Sequence, residues 1–325
     1  MNTGRFVISL DFELYWGMTD KVTLKEYGEN ILGVRKVIPR MLALFQKYDI
    51  AATWGIVGML TFESKEELLK ALPAKQPQYE NPSLSNYTHL SERSVEEHDQ
   101  YYFGASLVRE IQTYPRQEIA SHTFSHYYCR EAGQNAETFR ADCEAQQNAL
   151  ARLGVTATSL ILPRNQWREE YLPTCREFGI TAFRGNQRGF AYAPRNEKSQ
   201  TSPFIRALRL LDHYLPLFGA HTHTSEEMQK TRPYNIPASI FFRPYTARLR
   251  FLEPLRLWRI KSAMTVAAKE GKLFHLWWHP HNFGKNIEQN LQNLEEVLKH
   301  YTLLQKRYGM ESRSMQEVAG SLESL

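Results

Sequence analysis

RFVISLDFE at residues 5–13 decides the fold class. An apolar run rich in β-formers ends in a carboxylate pair, the pattern of a buried strand delivering charge at its C-terminal end. A second such run, IAATWGIV, stands at 50–57. Between them VIPRMLALFQKY at 37–48 carries helical periodicity, with Pro39 near the expected first turn, where a missing N–H costs little. Strand, helix and strand make a βαβ unit.

The same alternation continues outward. Helices are expected near 99–113, 135–153, 169–178, 254–270 and 286–308. Strands are expected at 117–121 (QEIAS), 159–163 (SLILP), 180–183 (ITAF), 238–242 (ASIFF) and 272–278 (KLFHLWW). This order predicts an α/β fold with a parallel sheet, specifically a distorted or incomplete (β/α) barrel forming a single catalytic domain over 1–325. Polar, Pro-bearing stretches at 73–98 and 184–236 read as long insertions and candidates for substrate contact. Residues 286–325 read as a helical C-terminal tail.

Composition narrows the function classes. With 42% hydrophobic and 23% charged residues the chain has a core, which excludes disorder and collagen-like repetition. Three cysteines without CxxC spacing exclude a zinc ribbon or a disulfide framework. The start of the sequence reaches a charged motif without a long apolar run, so the expected location is cytoplasmic. From Lys230 to Lys272, ten basic residues face two acidic ones. Such a segment suits an anionic partner, and Arg248, Arg250, Arg256 and Arg259 are its candidate contacts to substrate phosphate or to the inner face of a membrane. No nucleic-acid partner is expected, because no groove-reading motif accompanies the charge.

In parallel α/β folds the chemistry gathers at the C-terminal ends of strands. Asp11 and Glu13, His122 and His126, Arg164, Arg184 and His279 all stand at such ends. Asp11 and Glu13 are two apart, so in an extended strand both point to one side. SHTFSH sets His122 and His126 four apart, a spacing from which two imidazoles reach one metal; two histidines and a carboxylate leave a zinc position open for water.

SLDFE, TWGIVG, EIASHTFSH and LWWH resemble, in order over about residues 5–283, the motifs of the polysaccharide deacetylase, or NodB-homology, family of carbohydrate esterases. SMQEVA near the C-terminus is similar to that family's usual end. The resemblance implies a distorted (β/α) barrel and metal-dependent removal of acetyl from an N-acetylated sugar. It makes Asp11 the catalytic base, Glu13, His122 and His126 the ligands of Zn2+ or another divalent transition metal, and His279 the catalytic acid. Three departures stand out. Glu13 occupies a place where Asp is usual. The arginine motif appears as LPRNQ, with Arg164 as its displaced equivalent. FRGN lacks the expected Asp, and Arg184 is the candidate for its ground.

An amide resists neutral water. A zinc ion lowers the water pKa toward ~7, a carboxylate takes the proton, and an acid must protonate the departing amine. Asp11, held by Arg164, and His279 suit these roles. Trp16, Tyr127, Arg184, Trp278 and His281 are the candidate substrate contacts, since sugars stack on aromatic faces; alternation places one of Trp277 and Trp278 in the core, and His281 reads equally as a turn residue. His221 and His223 in AHTHT read as an alternative primary metal pair or a substrate-loop contact. The substrate expected is an N-acetylated sugar, lipid-linked or nucleotide-linked. The competing functions are hydrolysis of a cyclic amide on the same fold and metal-free carbohydrate binding.

Overall fold

Strand β1 (Arg5–Phe12) pairs in parallel with β2 (Ala52–Ile56) on one side and β8 (Leu273–Trp278) on the other in the computed structural model, which describes residues 3–91, 94–196 and 202–323. The sheet runs from β2 through β3 (Gln117–Ser121), β4 (Ser159–Leu160) and β5 (Ala182–Phe183) to β6 (Tyr234–Asn235). In the other direction it runs from β8 to β7 (Ile240–Phe241), while β9 (Glu311–Ser312) lies along the start of β1. The two edges belong to one stretch of chain. Ile236 N donates to Phe183 O at 2.9 Å and Ala238 N to Gly185 O at 3.0 Å; then Ser239 N donates to His275 O at 2.8 Å and Phe242 N to Trp277 O at 2.7 Å. This sheet, curled and bridged by a segment that changes partners midway, is the distorted, incomplete (β/α) barrel expected from the sequence.

Helices of eight or more residues are α1 (Leu24–Lys47), α2 (Ala105–Gln112), α3 (Ala136–Ala151), α4 (Pro203–Asp212), α5 (Glu253–Glu270), α6 (Ile287–Tyr308) and α7 (Met315–Glu323). Among the described residues, no helix is long and apolar enough to cross a membrane. The first differs from expectation: it begins at Leu24, not near 37, and Pro39 lies inside it. Thr23 supplies the start, with Glu26 accepting from its backbone N–H at 2.9 Å. Burial of Ile31, Val34, Val37, Ile38, Met41, Leu42 and Phe45 along one face outweighs the hydrogen bond that Pro39 cannot make. The helical tail expected over 286–325 is packed on the domain in its described part, 286–323. α6 packs on α1 and α5, β9 joins the sheet, and α7 buries Met315, Val318, Ala319 and Leu322 against Val7.

Alternation on β1 sorts its residues. Phe6, Ile8, Leu10 and Phe12 face the helices, whereas Val7, Ser9 and Asp11 face the barrel interior. The interior is therefore layered. Its floor is apolar, with Val7, Ile161, Ala182, Tyr234 and Leu273 closed off by α7. Above it lies a polar layer in which His275 Nδ1–H donates to Ile236 O at 3.2 Å, leaving Nε2 to accept from the Ser9 hydroxyl at 2.8 Å; Ser9 Oγ accepts from Arg184 at 3.0 Å. Asp11 stands at the rim.

Burial pushes the His275 imidazole down to about 3 from an ordinary 6.5. The unfolded chain takes up a proton between these values that the folded chain refuses, so stability is lost as pH falls below 6.5. By pH 5 this amounts to about 2 kcal/mol. Urea unfolding at pH 7 and pH 5 should therefore show the wild type losing about 2 kcal/mol more than His275→Gln, which keeps a donor and an acceptor. Equal losses would remove His275 from the acid sensitivity.

Candidate metal centre and active site

β1 ends at Phe12, and Glu13 opens a tight turn over Leu14–Gly17. Its carboxylate reaches the barrel mouth because residue 17 is glycine; a Cβ there would lie 2.0 Å from the Glu13 carboxyl carbon. The two histidines come from the loop after β3, where Thr123 and His126 adopt left-handed φ values of 63° and 58°. That conformation is strained for such residues and is held by neighbours. Asp142 on α3 accepts from the backbone N–H groups of Phe124 (2.7 Å) and Ser125 (3.1 Å), and Asn86 donates to Ser125 O at 3.0 Å and Trp16 O at 2.8 Å. Burial raises the Asp142 carboxyl to about 6 despite these bonds. Asn86, from the stretch 73–98 expected to contact substrate, thus buttresses the turns bearing Glu13 and the histidines; Tyr79 Oη also accepts from Tyr128 N at 2.8 Å.

Glu13, His122 and His126 converge, each buried, with one ligand atom apiece inside 4.8 Å of the others. His126 Nε2 lies 2.9 Å and His122 Nε2 3.3 Å from Glu13 Oε2. His122 Nδ1 donates to Ile161 O at 2.8 Å, which turns the lone pair of Nε2 inward, where it has no hydrogen-bond partner. A buried lone pair facing a carboxylate oxygen calls for a cation between them, so the donor set fits a divalent metal. Burial lowers His126 to about 4, keeping it a neutral donor. Glu13 is held well below the ordinary carboxylate range: its burial opposes this, but the surrounding imidazoles of His279, His126 and His122 prevail.

Asp11 is gripped by Arg184, not by Arg164. Arg184 NH1 and NH2 donate to Asp11 Oδ1 and Oδ2 at 2.6 and 2.7 Å, Nε donates to Asn165 Oδ1 at 2.9 Å, and the guanidinium lies 4.3 Å from the Trp277 ring centre. Burial would raise the Asp11 pKa, but Arg184, helped by His122 and His279, lowers it, so Asp11 is ionised. Arg184 is wholly buried, which corrects its expected role as a substrate contact. Arg164 sits in a left-handed turn (φ 55°) that carries it to Asp20 and over the Tyr128 ring, 4.2 Å from its centre. Tyr128 Oη in turn lies 3.0 Å from His126 Nδ1, a support for the metal loop that the sequence reading missed.

His279 Nε2 lies 3.7 Å from Asp11 Oδ2 and 3.5 Å from Glu13 Oε1. With 23% of its side chain exposed, it is the member of this group that solvent reaches. Its ring stacks on buried His281 at 4.9 Å, and the turn bearing both is pressed on α1 where Gly33 meets Gly284; a Cβ on Gly33 would come 2.1 Å from Gly284 O. Trp16, Tyr127 and Trp278 are core residues, not substrate contacts. Trp16 Nε1 donates to Tyr102 O, Tyr127 Oη pairs with Thr138 Oγ1, and Trp278 stacks on Phe283. Trp277, on the same strand face as His275 and His279, lines a cleft of about 340 Å³ with His279, Phe241, Arg164 and residues from the expected insertion 184–236.

The basic segment is also corrected in part. Arg256 is buried in a pair with Glu253, and Arg259 is buried donating to Asp212 O (3.2 Å) and Gly219 O (2.7 Å), so neither can meet a phosphate or a membrane. His221 pairs with buried Asp212 at 2.7 Å and His223 Nε2 lies 3.3 Å from Ala238 O; neither joins the metal group.

Residues 26–183 match the family described as polysaccharide deacetylase. No curated protein matches the sequence. Among solved structures, the fold is similar to that of a protein assigned as a polysaccharide deacetylase from Mycobacterium smegmatis, at 12% identity and a TM-score of 0.62, covering 100% of this chain and 92% of that one. A protein assigned likewise from Pseudomonas aeruginosa PAO1 gives 13% and 0.55, covering 98% and 91%. Puue allantoinase gives 11% and 0.57, covering 98% and 90%.

The Arg184 clamp generates a stability prediction. Arg184→Met strands a buried carboxylate and should cost about 3–5 kcal/mol in urea unfolding. Adding Asp11→Asn, which needs no counter-charge, should return most of that loss. A double variant no more stable than Arg184→Met would mean that the pair is not what holds this region.

Proposed function

We propose that this chain, whose residues 26–183 match the polysaccharide deacetylase family, is a metal-dependent hydrolase removing acetyl from an N-acetylated sugar. The observation that carries this reading is the inward, unpartnered Nε2 of His122 beside Glu13 and His126, with a clamped Asp11 and the accessible His279 alongside. Glu13, His122 and His126 would hold the metal, zinc by its preference for nitrogen and oxygen donors. When bound, it supplies Lewis acidity to the amide carbonyl and acidity to water.

The chain's own residues do the rest. Each Asp11 oxygen accepts one bond from Arg184 and keeps a second acceptor position, so Asp11 can orient a water and take its proton. Arg184 cannot rotate away, being fixed by Asn165, Ser9 and Trp277. His279 lies within 4 Å of both carboxylates and on the cleft side, where it can pass a proton to the departing amine nitrogen. Without that proton the amine leaves poorly. Trp277 and Phe241, their rings 4.7 Å apart, offer the sugar an apolar wall beside His279.

Metal analysis and acetate release test the reading together. The purified protein should carry about one divalent ion per chain, and His122→Ala/His126→Ala should lose both ion and activity. Asp11→Asn should keep the ion while kcat falls roughly 10²- to 10⁴-fold, the range for a lost general base. Full metal content in the double histidine variant would defeat the site. Turnover of a cyclic amide in place of any N-acetylated sugar would defeat the substrate class.

A further inference from the structure

The cleft beside His279 is lined by Lys21, Arg164, Arg206, Arg209 and Arg243, and by no aspartate or glutamate among the described residues. Arg164 has Asp20 as its counter-charge. Arg206, Arg209 and Arg243 form no ion pair among the described residues, although the chain places pairs on most of its other arginines. The cations come from separate elements. Lys21 follows the turn after β1, Arg206 and Arg209 sit one helical turn apart on α4, and Arg243 follows β7. Arg209 is anchored through Nε to Ala191 O at 2.8 Å and lies over the Tyr192 ring. Charges of one sign gathered in a concave site from three parts of the chain repel one another, and an anionic ligand relieves that repulsion.

We propose that this cleft is an anion subsite and that the N-acetylated sugar enters it as a diphosphate conjugate, with the sugar against Trp277 and Phe241 and the diphosphate against Arg206, Arg209, Arg243 and Lys21. The assignment rests on the deacetylase reading and deepens it. A single carboxylate would leave two of the three arginines Arg206, Arg209 and Arg243 unneutralised. A diphosphate diester carries two negative charges, and its oxygens match the paired N–H groups of guanidinium. The same chemistry comes from a nucleoside diphosphate sugar or from a polyprenyl diphosphate sugar. Of the basic residues in segment 230–272, only Arg243 lines the cleft.

The test compares kcat/KM of the zinc-loaded enzyme for three forms of one N-acetylhexosamine: the uridine diphosphate conjugate, a short-chain polyprenyl diphosphate conjugate and the methyl glycoside. At least one diphosphate arm should exceed the methyl glycoside by 100-fold or more, and the better arm identifies the source. In Arg206→Ala/Arg243→Ala that ratio should fall at least tenfold, mainly through KM. Equal kcat/KM for all three forms, or a ratio unchanged in the double variant, would overturn the subsite while leaving the deacetylase reading intact. Calorimetric titration with the uridine diphosphate conjugate covers the opposite case. Binding by the wild type, weakened at least tenfold in the double variant, with no acetate released from any form, would sustain the subsite and defeat the deacetylase reading. Titration curves identical in the two proteins would place any bound conjugate elsewhere and overturn the subsite.

Discussion

Arg184 reaches across the barrel from the end of β5 to take both oxygens of Asp11 at the end of β1, and both partners are buried. Two carboxylates at one barrel mouth cannot both remain charged and unpaired, so each needs its own positive neighbour. The guanidinium serves Asp11, and a metal held with His122 and His126 would serve Glu13. That division would separate a proton acceptor from a ligand although the two residues are only two apart in sequence. It also explains the polar layer beneath, where the Ser9 hydroxyl accepts from Arg184 and donates to His275. Without those partners the arginine would be a costly buried charge.

The second half of the site depends on a different device. The His122–His126 loop follows a strained path and is fixed by Asp142, Asn86 and Thr123, the last accepting from Tyr127 N at 2.7 Å. Gly17 leaves room for the Glu13 carboxylate, and the Gly33–Gly284 contact presses the His279 turn on α1. These contacts lie away from the reacting atoms, yet they set the positions on which proximity depends.

Much of this was legible in the sequence because it obeys periodicity. The apolar runs ending in Asp11, His122 and His279 located the barrel rim, and the four-residue spacing of the histidines picked out two members of the candidate metal group. Parity along KLFHLWWH could also have chosen Trp277 over Trp278, because His275, Trp277 and His279 share one strand face. Arg184 was harder. LPRNQ and FRGN both put an arginine after a strand, and only the left-handed turn at Arg164 shows which of them crosses the barrel. Arg259 reads as surface charge because its partner Asp212 lies far away in the chain, whereas Arg256 is taken up by Glu253 one helical turn before it. Pro39 points to a helix start near 37, yet the buried face of α1 carries the helix back to Leu24.

The division of labour between the two carboxylates is tested most directly by zinc K-edge X-ray absorption on the metal-loaded wild type, Asp11→Asn and Glu13→Gln. The wild type should show two imidazole nitrogens and one carboxylate oxygen at about 2.0–2.2 Å from the ion. That pattern should persist in Asp11→Asn and lose its carboxylate oxygen in Glu13→Gln. A spectrum altered by Asp11→Asn and left unchanged by Glu13→Gln would make Asp11 the ligand and contradict the account.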